Sequence, residues 1–78
     1  MLLYQLTYVA EGVMAAETQT RIYGVGKTPH QAIADLRKNL ISQREFLREH
    51  RDRLGPGLAK DLEILDRVES LRIIQASS

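Results

Sequence analysis

Apolar and polar residues alternate from the first residues of the chain: Leu2, Tyr4, Leu6 and Tyr8 share one face, and Leu3, Gln5, Thr7 and Val9 the other. A period of two predicts a β-strand over residues 2 to 9. Alternation resumes over residues 13 to 23, where Met14, Ala16, Thr18, Thr20 and Ile22 oppose Glu17, Gln19 and Arg21. This predicts a second strand with one wetter face. The two apolar faces meet on one side of a hairpin only if residues 8 and 14, 6 and 16, and 4 and 18 stand opposite each other. That register makes Ala10-Glu11-Gly12 a three-residue loop with Gly12 in a left-handed position of a bulged turn.

From Pro29 the period becomes helical. Ala32, Ile33, Leu36, Leu40, Leu47 and Leu54 fall within roughly a third of a turn at 3.6 residues per turn. Gly55-Pro56-Gly57 ends the pattern. The expected helix has about 26 residues and is about 39 Å long, against about 30 Å for a strand of eight or nine residues. Its charged second half, from Ser42 to Arg53, is therefore expected to overhang the sheet. Leu58, Leu62, Leu65 and Val68 continue at helical spacing and predict a shorter helix folding back on the first. Ser70-Leu71-Arg72-Ile73-Ile74-Gln75 reads as a last strand. The predicted order is β-β-α-α-β, an α+β fold in a single domain spanning residues 1–78.

The joint between sheet and helix is Gly24-Val25-Gly26-Lys27-Thr28-Pro29. Gly26-Lys27-Thr28 looks like the end of a phosphate-binding loop, but the glycine required five positions earlier is Arg21. The structural reading is a helix start, with Thr28 as N-cap, Pro29 at the first helical position and Gln31 completing a capping box. No nucleotide or other cofactor is expected.

Residues 23–40 resemble two families. Gly26, Thr28, Ala32 and Leu36 match the strand-to-helix joint of HicB-type antitoxin domains. Gly24, Gly26, Thr28 and Ala32 meet the G-x-G-x-[ST]-K-K-x-A spacing of double-stranded-RNA-binding domains. In the latter family the two lysines after the cap hold phosphates, and here those positions are Pro29 and His30. The resemblance implies a fold type, a small sheet backed by a helix, more than an activity, and an antitoxin-like or small regulatory role is the expectation set beside it.

Composition narrows the chemistry. The chain has 78 residues, no cysteine and a net charge of +1. Disulfides and cysteine-based metal sites are excluded, and neither His30 nor His50 sits in a pattern that suggests metal binding or a nucleophile–base pair. The expected protein is cytoplasmic and non-enzymatic, with neither a signal peptide nor a membrane-spanning segment. Arg37, Arg44, Arg48 and Arg51 form a stripe within roughly 60° of the long helix. It has two readings: a phosphate-tracking nucleic-acid contact, or a set of partners for the acidic residues Asp61, Glu63, Asp66 and Glu69 of the second helix or of another subunit. Tyr4, Tyr8 and Tyr23 read either as an aromatic platform or as caps on a small core. A chain this short has limited burial of its own. The expectation is therefore a homodimeric protein-binding module, joined in part through Leu47, Leu54, Leu58, Leu62 and Leu65 at the end of the helical hairpin. A nucleic-acid-binding module is the alternative.

Overall fold

The computed structural model describes residues 2–68 in full and the backbone of residues 72–77. Three antiparallel strands, β1 (Leu3–Val9), β2 (Gly12–Glu17) and β3 (Tyr23–Gly26), form a sheet with β2 between the others. They are followed by α1 (Pro29–Glu49), a 3₁₀ turn at Arg51–Arg53 and the short helix α2 (Pro56–Leu65). The class is α+β. Ser70 and Leu71 of the expected final strand lie outside the described residues.

The expected second strand is in fact two strands. β2 stops at Glu17, whose side chain is 1% exposed. Its carboxylate accepts the Gln19 N–H at 3.0 Å, the Thr20 N–H at 2.6 Å and the Thr20 hydroxyl at 2.6 Å. The turn closes with the Glu17 N–H donating to Ile22 O and the Arg21 N–H to Glu17 O, with Arg21 left-handed at φ 62°. A carboxylate that gathers donors three residues ahead favours a turn over continued extension.

The hairpin register also differs from the expected one. Tyr8 pairs with Val13, Leu6 with Ala15 and Tyr4 with Glu17, leaving Ala10-Glu11 as a two-residue turn and Gly12 as the first residue of β2. A slip of one residue exchanges the two faces of a strand. Val13, Ala15 and Glu17 are therefore buried, while Met14 and Ala16 point to the other side. Leu6, Val13 and Ala15 are buried in the same core cluster as Ala32, Leu36 and Leu40 of α1. The helix lies too close to the sheet to accept a methionine. A Cβ on Gly24 would run into the backbone of Leu36 and Ala32, and one on Gly26 would stand 2.7 Å from the Ala32 nitrogen. Small residues at 15, 24 and 26 bring the helix into contact, and that contact selects the face.

Helix α1 starts where expected. The Thr28 side chain accepts the Gln31 N–H at 3.2 Å, and the Gln31 side chain reaches back to the Lys27 N–H at 2.9 Å, one residue before the usual capping-box target. It ends at Glu49, five residues short of the expected Leu54, because His50 turns its N–H onto Leu47 O and Arg48 O and the chain tightens into the 3₁₀ turn. α2 then packs on α1, and Leu47, Leu62, Leu65 and Val68 join Leu2, Leu6, Leu36 and Leu40 in one core. Each fully buried leucine contributes about 1.5–3 kcal/mol.

Candidate functional site

The Gly24–Pro29 joint is occupied by packing. Its two glycines bed the helix, the Lys27 N–H is bound by Gln31 and the Thr28 hydroxyl caps α1. A phosphate cradle needs free backbone N–H groups around an open bend, and here that backbone faces the helix.

The arginine stripe separates into two kinds of residue. The Arg44 side chain is only 13% exposed, and its Nε lies 3.2 Å from Glu45 Oε1. Arg48 is 3.4 Å from the same carboxylate and, through Nη2, 2.7 Å from Asp66 Oδ1 beyond the end of α2. Asp66 is thus one of the acidic partners expected from the second helix, whereas Glu69 lies outside the described residues. Arg37 and Arg51 are exposed. The stripe does not present four aligned guanidinium groups to solvent.

Three of the leucines expected at a dimer interface are inside the single chain. Leu47, Leu62 and Leu65 are buried, Leu54 is half-buried and Leu58 alone is exposed. The residual apolar surface expected at the end of the helical hairpin is largely absent because α2 covers α1. The tyrosines do not form one platform either. Tyr4 and Tyr8 occupy positions on the helix-facing side of β1 and Tyr23 lies on the opposite side of the sheet. His30 is exposed, and His50 stacks edge-to-face on Phe46 with ring centres 4.5 Å apart. Among the described residues no group of three or more His, Asp or Glu side chains is placed to hold a metal ion, and no helix is long and apolar enough to cross a membrane.

Two features of the sheet were not anticipated from the sequence. The first is a guard on the β3 edge: the Val25 N–H donates to Asp35 Oδ2 at 2.9 Å, and Asn39 Nδ2 donates to Tyr23 O at 2.8 Å. Two residues of strand advance about 6.6 Å and four residues of helix about 6.0 Å, so an i, i+4 pair on α1 can reach alternate backbone groups of a strand alongside it. The second is the sheet face turned away from α1. By alternation it carries Leu3, Gln5, Thr7 and Val9 from β1, Gly12, Met14 and Ala16 from β2, and Tyr23 and Val25 from β3. Val9 is 50% exposed, and Tyr23 and Val25 are each 56% exposed. None of these positions holds a carboxylate, ammonium or guanidinium group. The sequence signal for this face was the near-equal apolarity of the two sides of β2, Val13 and Ala15 against Met14 and Ala16.

A sheet backed on one side by a capped helix, guarded along one edge and bare on its other face, defines a small α+β module with a neutral surface available for contact. No protein-family model matches the chain, and neither a curated protein nor a solved structure matches it.

Proposed function

We propose that the chain is a non-enzymatic regulatory module that binds another protein, in an antitoxin-like role, and that it acts as a homodimer. The observation that carries this reading is the bare sheet face. Antiparallel sheets with one solvated side ordinarily place polar and charged residues there, whereas this one offers Val9, Met14 and Val25 framed by Thr7 and Gln5. The joint at Gly24–Thr28 adds support, since the residues shared with HicB-type antitoxin domains are the ones that seat and cap α1. A nucleic-acid role for the arginine stripe draws less support, because Arg44 is largely covered and Arg48 is paired.

The test starts with the chain purified from its native host together with any protein bound to it. The expected result is a companion in fixed stoichiometry that impairs growth when produced alone and loses that effect when the chain is produced with it. A companion that leaves growth unchanged with or without the chain overturns the antitoxin-like reading. Binding to nucleic acid that weakens steeply with added salt would favour the alternative.

We also propose that residues 72–77 form a fourth strand, β4, parallel to β1. Support comes from the backbone register, which sets Leu3 beside Arg72, Tyr4 beside Ile73 and Leu6 beside Ala76, with a shift between Tyr4 and Gln5. A parallel strand needs a long crossover from its neighbour, and α1 and α2 provide one.

A further inference from the structure

We propose that a second copy of the chain docks face to face on the open side of the sheet, with Tyr23 of each protomer entering a groove beside Val9, Met14 and Val25 of the other. This inference rests on the homodimeric reading above and assigns it a surface. Three other surfaces that could join two copies are already engaged within the chain. The hairpin leucines Leu47, Leu62 and Leu65 are buried in their own chain, and the β3 edge is bound by Asp35 and Asn39. Phe46 already stacks on His50.

The open face carries both halves of a self-complementary contact. A two-fold interface brings the same patch of each subunit together, so projection and recess must lie on one surface. The projection is Tyr23, at one end of β3. The recess is a groove of about 620 Å³ at the other end, walled by Val9, Met14 and Val25, with Glu11, Gly12, Lys27 and, toward the helix, Gln31 also lining it. A two-fold axis lying between the sheets and across the strands keeps β3 over β3 and reverses its direction. Val25 then faces its own copy, and Tyr23 faces the groove. Arg21, two residues before Tyr23, comes to the end that carries the partner copy's oppositely charged Glu11. The face formed by β1, β2 and β3 holds no charged side chain, so no like charges oppose each other across its centre.

The size of the face sets the strength. Three strands about 4.8 Å apart and about 20 Å long give roughly 280 Å², below the ~800 Å² per partner of standard interfaces. The dimer is therefore weak and exchanges with monomer.

Sedimentation velocity on the full chain, from about 1 μM to about 1 mM to bracket a weak interface, tests this. The expected result is a reversible monomer–dimer equilibrium whose dissociation constant rises about tenfold or more in Val25→Glu and in Tyr23→Ala. Val9→Lys, at another half-exposed position, gives the same readout if Val25→Glu loses its circular dichroism signature. Glu11→Arg weakens the dimer, and adding Arg21→Glu in the same chain restores it. A wild-type chain that stays monomeric throughout overturns both this inference and the homodimeric reading. A dimer indifferent to Val25→Glu and Tyr23→Ala, or one dissociated by Leu58→Glu instead, overturns the sheet-face assignment and leaves the homodimer standing. A dimer in which Arg21→Glu fails to rescue Glu11→Arg rejects the two-fold geometry that pairs those two ends.

Discussion

Glu17 is the buried acidic side chain of the described core, and its surroundings explain why it is tolerated there. A carboxylate removed from water needs several donors, and the Gln19 and Thr20 amides and the Thr20 hydroxyl supply three. Glu17→Ala removes the acceptor for all of them and leaves Arg21 in a left-handed conformation with less to hold it. The expected loss is about 2–3 kcal/mol, read from denaturant midpoints. An effect below about 0.5 kcal/mol, the range of ordinary surface substitutions, would mean that the turn holds without the carboxylate. Gly24→Ala acts through space alone, because the added methyl meets helix backbone at Leu36 and Ala32 rather than a movable side chain. Helix and sheet must separate, at a cost of about 3 kcal/mol. Thermal melts of the two variants give the comparison, and a Gly24→Ala protein as stable as wild type would place α1 farther from β3.

The relation between α1 and β3 belongs to the scale of elements. An edge strand exposes a row of unpaired backbone groups that invites pairing with other chains. Here Asp35 and Asn39 bind the outward groups of Val25 and Tyr23, so the helix that covers the sheet also closes its side. Replacing both by alanine removes two hydrogen bonds of about 1 kcal/mol each. The sharper signature is local, in faster hydrogen exchange at the Val25 amide with little change at amides within β1. Uniform acceleration across the sheet would instead indicate global destabilisation. At the other end of α1 the Arg48–Asp66 pair is half exposed on both sides, and such pairs contribute only about 0–1 kcal/mol. Attachment of α2 therefore rests on Leu62 and Leu65, and Leu65→Ala is expected to cost about 2–5 kcal/mol where Arg48→Ala costs well under 1.

At the scale of the whole molecule, one helical layer serves one face of the sheet, and the opposite face remains for a second body. The proposed fourth strand would occupy the β1 edge and the proposed dimer the open face, so the two proposals use different surfaces. Ending the chain after Val68 separates them. The expected outcome is faster hydrogen exchange at β1 amides with the monomer–dimer equilibrium changed less than threefold. Unchanged exchange in β1 would argue against β4.

What the sequence determined by itself were the features written in short-range chemistry. The alternation of Leu2, Tyr4 and Leu6, the Thr28-Pro29-x-Gln31 start of α1 and its apolar stripe all follow from spacing along the chain. The tertiary structure decided the rest wherever two local solutions were nearly equal. Both faces of β2 carry small apolar residues, so alternation alone could not choose between them. The choice fell to the close approach of α1, which admits Ala15 beneath it and turns Met14 outward. Glu17 reads from sequence as a polar position on a continuous strand, and only the donors brought to it by the turn make its burial favourable. The leucines of the helical hairpin read as surplus because their cover is another part of the same chain, and whether Leu47 meets Leu62 and Leu65 depends on the turn at His50 and the packing of α2, neither of which is encoded in periodicity.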